Sequence, residues 1–264
     1  MVLKTGFPGP ENIPMNLSEN KDTLTETYHL TAGQTDIFGQ MPLTLVASRA
    51  IEMATEHANL LGIGYSDLAT HGMAWVLARL TIDMLRFPGI NEFYTISTWI
   101  ESYNRFFSDR CFLITDSKGE PLGHIRSVWV AIDIRKRSMA DLTAIESTLF
   151  PVAARECPVE KCRTPLIARD GATATESYTF RFTDIDFNGH VNTLRYLDLV
   201  MNQHTPEWYR ANPVYRLEAS FDHECHYGET VEAVTGPGAR DSRAAVTEIR
   251  RDRRTAVSVA LTSR

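Results

Sequence analysis

The chain carries the same local pattern twice, about 150 residues apart. Tyr28 leads through Thr35-Asp36-Ile37 into an apolar stretch, and Tyr178 leads through Thr183-Asp184-Ile185 into another. A series of alternating segments follows each apolar stretch. A pattern that recurs at a fixed spacing restricts the chain to folds built from two similar halves.

Both apolar stretches have the period of a helix. In the first, residues 43–61, apolar side chains recur at three-to-four spacing, and Pro42 suits the first turn. In the second, residues 192–203, Asn192 is a good N-cap and Pro206 follows the end. The sequence therefore predicts one central helix in each half.

Alternation of apolar and polar residues predicts strands after each helix. The predicted strands are residues 74–84, 93–102, 106–116 and 121–134 in the first half, and residues 217–225, 230–236, 244–250 and 255–262 in the second. A central helix wrapped by a long antiparallel sheet, present twice, is an α+β architecture. Pairing the two sheets edge to edge would protect strands that are otherwise exposed.

Four ranges follow from this pattern. We expect an N-terminal arm at 1–22, a first unit at 23–139, a linker with three prolines at 140–173 and a second unit at 174–264.

Composition excludes several classes of protein. A hydrophobic share of 43% and a charged share of 23% are ordinary for a soluble globular chain, and the net charge of −6 does not favour nucleic acid. No apolar run approaches the roughly 18 residues of a membrane span, and the opening residues lack a signal-peptide core. We therefore expect a cytoplasmic protein that binds neither nucleic acid nor membrane.

The four cysteines are candidates for metal binding, and a basic cluster is a candidate for partner binding. The four cysteines are scattered without the spacing of a zinc site, so neither a metal nor another cofactor is expected; they are Cys111, Cys157, Cys162 and Cys225. A basic cluster surrounds Asp252 and consists of Arg250, Arg251, Arg253 and Arg254. The favoured interpretation is a solvated hairpin turn, and the alternative is a docking surface for a phosphorylated or acidic partner.

A reactive turn is predicted just before the second helix. Asp186, Asn188 and His190 occupy alternate positions, and side chains at such positions of an extended segment share one face. The backbone amides of Val191 and Asn192, near the start of the helix, are then candidate donors to an oxyanion. The simpler interpretation is a turn whose polar side chains only cap the helix.

The segment Asp186-Phe187-Asn188-Gly189-His190-Val191-Asn192, together with the later Glu224-Cys225, resembles the acyl-acyl carrier protein thioesterases. In that family an Asp-x-Asn-x-His-Val-Asn segment precedes the second helix, and a Glu-Cys pair lies 34 and 35 residues after the histidine, as it does here. The resemblance runs from about Thr23 through essentially the rest of the chain. It implies a tandem (double) hot-dog fold, in which two long antiparallel sheets each wrap a central helix.

The same resemblance implies that the first unit supplies a non-catalytic acyl pocket and the second the catalytic groups. In the first half, Phe38 and Pro42 are expected to match Asp186 and His190, and neither can move a proton. One active site per chain is expected. A bacterial cytoplasmic enzyme is favoured over a processed plastid form.

The implied reaction is hydrolysis of a fatty acyl thioester carried on the 4'-phosphopantetheine of acyl carrier protein, which releases free fatty acid. Asp186 would attack the carbonyl or orient a water, His190 and Asn188 would position the reactants, and Glu224 would hold His190 or the water. The alternative is a thiol triad of Cys225, His190 and Asn188. Since neighbouring residues of a regular strand face opposite sides, only one of Glu224 and Cys225 can face His190.

Two rival functions stay open at this point: an acyl-CoA thioesterase of the hot-dog superfamily and a non-catalytic protein that binds or senses acyl groups. A homodimer is also left open. Several large side chains are predicted to lie in the hydrophobic core, and the alternative is that they line an acyl tunnel. They are Trp75, Trp99, Trp129, Met53 and Met84. His223 and His226 read as exposed polar residues of a strand or turn.

Overall fold

The computed structural model describes residues 15–145 and 151–264. The expected arm therefore lies largely outside the described residues, as do five residues of the expected linker. Among the described helices, none combines the length and apolar character that a membrane span requires.

From residue 15 onward, the first half contains two helices and seven strands: β1 (Asn16–Leu17), β2 (Thr23–His29), α1 (Leu43–Leu60), α2 (Tyr65–Thr70), β3 (Met73–Met84), β4 (Phe93–Tyr103), β5 (Phe107–Asp116), β6 (Pro121–Asp133) and β7 (Ser138–Met139). The second half repeats the order with two helices and five strands: β8 (Ala174–Thr179), α3 (Thr193–Met201), α4 (Pro206–Ala211), β9 (Val214–Phe221), β10 (Thr230–Pro237), β11 (Ala244–Arg251) and β12 (Arg254–Ser263). Short 3-10 turns precede α1 and α3, at Ala32–Gln34 and Phe182–Asp184.

The strands form one continuous antiparallel sheet, in the order β1-β2-β4-β5-β6-β3-β9-β12-β11-β10-β8. The halves meet where β3 pairs with β9, from Arg79 opposite Ser220 to Asp83 opposite Arg216. Arg216 also binds Asp83 through its side chain, with 2.7 Å between Nη1 and Oδ2. The edge-to-edge pairing expected from the sequence is therefore present, and it gives each junction strand a partner on both sides.

Both central helices pack on the same face of the sheet and share one core. α1 begins after Pro42 and buries an apolar face that includes Ala47, Ala50 and Met53. α3 begins after Asn192, whose side chain accepts a hydrogen bond from the Leu194 amide at 2.9 Å, as the predicted N-cap requires. Each large apolar side chain buried here contributes about 1.5–3 kcal/mol, so this shared core stabilises both halves together.

The described part of the segment between the halves, from residue 151 onward, forms a strap across the opposite face of the sheet. The Ala153 amide donates to the Ile100 carbonyl at 3.1 Å, and the Trp99 indole donates to the Arg155 carbonyl at 3.0 Å. Strap residues bury Trp99 in a separate cluster on that face. Trp99 consequently cannot line a tunnel between the sheet and α1, whereas Met53 and Met84 lie in the main core.

The strand predicted at 217–225 is shifted in the structure. β9 begins at Val214, just after Pro213, and ends at Phe221. It ends there because the amides of Asp222 and His223 both turn to the carbonyl of Ala256, at 2.8 and 3.1 Å. Glu224 and Cys225 therefore lie in the loop after β9 and not on a strand.

Candidate functional site

The segment Asp186 to His190 is a tight turn and not an extended segment. Asp186 Oδ1 accepts hydrogen bonds from the amides of Asn188 at 2.8 Å and His190 at 3.3 Å. The Asp186 amide in turn donates to the His190 carbonyl at 2.8 Å, and Gly189 adopts a φ of +80°. The expected alignment of Asp186, Asn188 and His190 on one strand face is therefore wrong, because the carboxylate folds the chain back on itself.

The polar side chains of the turn differ in their exposure to solvent. Asn188 is exposed, while Asp186 and His190 are partly buried. Within the described residues, Asp186 Oδ2 accepts no hydrogen bond, so one carboxylate oxygen shapes the turn and the other is available to a substrate or water.

His190 and Glu224 are brought together, although 34 positions separate them. His190 Nε2 lies 3.3 Å from Glu224 Oε2, and both side chains are about one-third exposed, at 31% and 34%. Arg137, from the turn between β6 and β7, donates from Nη2 to the same Glu224 oxygen at 2.8 Å. The pair is thus open to solvent and is also touched by the first half of the chain.

Cys225 points into the core. The residue has no exposed surface, its amide donates to the Tyr196 hydroxyl at 2.9 Å, and burial raises the pKa of its thiol. A thiol becomes a nucleophile through its thiolate form, which this environment disfavours. Of the two neighbours Glu224 and Cys225, the glutamate is therefore the one that faces His190.

The two amides expected to form an oxyanion hole are already engaged. The Val191 amide donates to the Cys225 carbonyl at 2.8 Å, and the Asn192 amide donates to the Asp184 carbonyl at 2.8 Å. This is a correction to the sequence-based expectation, since the chain crosses back over the turn before α3 begins. These bonds anchor the turn to the loop that carries Glu224.

The first half contains the same turn, which corrects the expected match of Phe38 and Pro42 to Asp186 and His190. Asp36 Oδ1 accepts from the amides of Phe38 at 2.8 Å and Gln40 at 3.1 Å, and Gly39 has a φ of +72°. Asp36 is thus the counterpart of Asp186, Phe38 of Asn188, and Gln40 of His190.

The loop after β3 contacts the first-half turn in the same way that the loop after β9 contacts the second-half turn. The Met41 amide donates to the Pro88 carbonyl at 2.9 Å, as the Val191 amide does to Cys225, so Phe87 stands where Glu224 stands in the second half. The carboxylate of the turn is common to both halves, whereas the histidine and glutamate are found in the second.

His226 is a site residue that sequence reasoning placed among exposed polar residues. Its backbone pairs with that of His190, and the two imidazole rings lie nearly perpendicular with their centroids 5.1 Å apart. One ligand atom from each of His190, Glu224 and His226 falls within 4.8 Å of the others. The signal available in the sequence was a histidine two positions after Glu224.

Basic side chains border the site. Arg251, at the end of β11, donates to the Glu224 carbonyl at 3.2 Å and pairs with Glu229. The turn that follows has positive φ at Asp252 and Arg253, which is the hairpin turn predicted there. Arg253 and Arg254 are exposed beside it.

Comparison with known proteins agrees with this architecture. The acyl-ACP thioesterase N-terminal domain matches residues 21–145, and the acyl-ACP thioesterase C-terminal domain matches residues 167–261. A chloroplastic oleoyl-acyl carrier protein thioesterase from Coriandrum sativum is 25% identical over 250 residues, which cover 89% of this chain and 68% of that protein. A chloroplastic acyl-[acyl-carrier-protein] hydrolase from Cuphea viscosissima is 23% identical over 70% of this chain.

The match to the Cuphea protein covers 47% of that protein, so the chain spans about half the length of several relatives. Among solved structures, an acyl-ACP thioesterase from Bacteroides thetaiotaomicron superposes with a TM-score of 0.84 at 25% identity, covering 93% of this chain and 99% of that one. A 12:0-ACP thioesterase from Umbellularia californica, at 17% identity and a TM-score of 0.82 over 92% and 97% of the chains, shows the same fold. The α+β tandem hot-dog architecture is confirmed, and the chain belongs to the acyl-acyl carrier protein thioesterase family.

Proposed function

We propose that the protein hydrolyses fatty acyl thioesters of acyl carrier protein and releases free fatty acid. The observation that carries this proposal is the contact between His190 and Glu224 beside the Asp186 turn, in a chain of this family. The pair is partly exposed, so a thioester carbonyl and a water can reach it. The first half, which has Gln40 and Phe87 at the equivalent positions, supplies the acyl pocket in this proposal.

The reaction needs a nucleophile more than it needs an acid. The leaving group is a thiol with an ordinary pKa of about 8.5, so it departs as a thiolate without a strong proton donor. Asp186 Oδ2 takes a proton from a water as the water oxygen attacks the carbonyl carbon. The C–S bond then breaks, and the electron pair leaves with the pantetheine sulfur.

His190 and Glu224 orient the reactants in this scheme. Glu224 Oε2 lies 3.3 Å from His190 Nε2, and in this scheme the carboxylate positions the imidazole so that its other nitrogen faces the water or the carbonyl oxygen. Arg137 holds the same carboxylate in place from the other side. Cys225 contributes packing and has no chemical step.

The carrier protein is proposed to dock on the basic residues beside Glu224. Arg137 and Arg251 contact the Glu224 residue itself, and Arg253 and Arg254 extend the positive surface outward. A positive rim attracts an acidic partner and speeds encounter. Arg253→Glu is then expected to raise KM for the carrier substrate while leaving hydrolysis of the CoA ester unchanged.

The test is a side-by-side measurement of fatty acid release from acyl-ACP and acyl-CoA with the same acyl chain. We expect kcat/KM to be higher for the carrier substrate. Equal or higher kcat/KM for the CoA ester would reject the carrier assignment. Tight acyl binding with undetectable turnover would reject hydrolysis altogether and favour an acyl-binding protein.

A further inference from the structure

We propose that His190, Glu224 and His226 form a binding site for one zinc ion, and that occupation of this site switches the hydrolase off. The metal-binding part of the proposal is argued from the positions of the three side chains and does not depend on the proposed function. The inhibitory consequence rests on the proposed function, because His190 and Glu224 are the groups that orient the reactants.

The donors have the identity and spacing that zinc requires. Two imidazole nitrogens and a carboxylate oxygen, with water in a fourth position, form a common tetrahedral zinc set. With bond lengths of about 2.0–2.2 Å, neighbouring donors of a tetrahedral site lie about 3.3 Å apart. The separation of His190 Nε2 and Glu224 Oε2 is 3.3 Å, and all three donors lie within 4.8 Å of one another. Small side-chain rotations close the remaining gap.

The backbone holds the three donors in place. His190 and His226 face each other as an antiparallel bridge pair, and the Val191 amide bonds to the Cys225 carbonyl at 2.8 Å between them. Cys225 is itself fixed by the buried Tyr196 hydroxyl. Little chain entropy is therefore lost when a metal ion binds.

A carboxylate stands behind one of the histidine ligands. Glu229 Oε2 accepts from the His226 amide at 2.8 Å and lies 3.7 Å from His226 Nδ1. A carboxylate that hydrogen-bonds the second nitrogen of a metal-bound imidazole orients the ring and increases its basicity, and the present 3.7 Å separation is longer than such a bond. His226 is 44% exposed, which leaves room for an ion to enter and for a water to complete its coordination.

Arg137 competes with the ion. Its guanidinium donates at 2.8 Å to the Glu224 oxygen that would bind zinc, yet the arginine side chain is 69% exposed and free to swing into solvent. Zinc binding therefore displaces Arg137 from Glu224. The two residues should therefore affect zinc affinity in opposite directions. Removal of Arg137 tightens zinc binding, whereas removal of His226 weakens it.

The test is calorimetric titration of the tag-free full chain with zinc chloride at pH 7.5. We expect one ion per chain, about 100-fold weaker binding in His226→Ala, and tighter binding in Arg137→Gln. His223→Ala is the matched control, because His223 is exposed on the same loop and lies outside the cluster. Absence of one-to-one binding, or equal weakening by His223→Ala, would overturn the site.

The inhibitory part is measured separately on the same samples. We expect zinc to abolish thioester hydrolysis by the wild type and a chelator to restore it, and we expect a much higher zinc concentration to be needed for half-inhibition of His226→Ala, measured relative to that variant's own metal-free turnover. Stoichiometric binding that leaves wild-type turnover unchanged would overturn the inhibition. If the metal-free protein has no hydrolase activity, the proposed function fails, whereas the calorimetry still decides the zinc site.

Discussion

Arg137 of the first half donates a hydrogen bond to Glu224 of the second half, with 2.8 Å between Nη2 and Oε2. The proposed site therefore includes a contact from the half that does not carry the Asp186–Asn192 motif. Because the pair is largely exposed, it contributes at most about 1 kcal/mol to stability. Its value lies in fixing the carboxylate that holds His190.

Arg137→Gln is expected to lower kcat/KM about tenfold with little change in melting temperature, since a misplaced Glu224 no longer orients His190. Arg135→Gln is the matched control, because Arg135 is exposed on the same turn. Steady-state kinetics and thermal unfolding check both variants. Equal effects of the two substitutions would mean that only general charge matters.

Asp186→Asn separates the two tasks of Asp186. The amide oxygen of asparagine can still accept the bonds from Asn188 and His190, so the turn is kept while the charge is lost. We expect turnover to fall about 10²–10⁴-fold, which is the usual contribution of a general base. Asp36→Ala, at the equivalent turn of the first half, should cost about 1 kcal/mol of stability and leave turnover intact. A fully active Asp186→Asn enzyme would remove the carboxylate from the mechanism.

Cys225→Ala is expected to keep turnover within about threefold and to lower the free energy of unfolding by about 1 kcal/mol, since it deletes a buried sulfur from a packed core. Urea unfolding and kinetics measure the two effects. A stable variant without activity would restore the thiol triad of Cys225, His190 and Asn188.

His57 predicts how stability depends on pH. Burial, with the Arg110 cation next in importance, lowers the pKa of His57 to about 4. Below the ordinary pKa of about 6.5, the unfolded chain takes up a proton that the folded protein refuses, so stability falls as the pH falls from 6.5 towards 4. His57 should account for about 2 kcal/mol of the loss between pH 7.5 and 5, and His57→Gln should remove that share. Urea titrations at both pH values test this, and an equal loss in the variant would contradict it.

The sequence predicted the elements whose signals are local. Both ends of α1 lie within one residue of the predicted range 43–61. Pro42 marks its start, and one apolar stripe runs along its whole length. The hairpin turn at Asp252 and the N-cap at Asn192 follow from side chains that act on their own neighbours. The pairing of the two sheets followed from the need to cover exposed strand edges.

The alignment of the two halves was wrong by two residues, for a physical reason. The Thr-Asp-Ile triplets match at an offset of 148, but the turns match at 150, because Asp36 and Asp186 are the residues that accept the amides of their turns. Similar letters thus occupy different structural positions. Only hydrogen bonds show which aspartate shapes each turn.

The contacts of the site depend on long-range packing. The amides of Val191 and Asn192 were expected to be free, yet each finds a carbonyl in another segment. His226 joins His190 through a bridge between two loops, and Arg137 reaches Glu224 across 87 positions of sequence. No local pattern encodes these approaches.

The two halves that meet where β3 pairs with β9 belong to one chain and carry unlike turns, with Gln40 in one and His190 in the other. Two identical chains assembled around the same seam would have to carry the same residue at both turns. Covalent fusion removes that constraint, so that the residues of one turn can change while those of the other stay as they are.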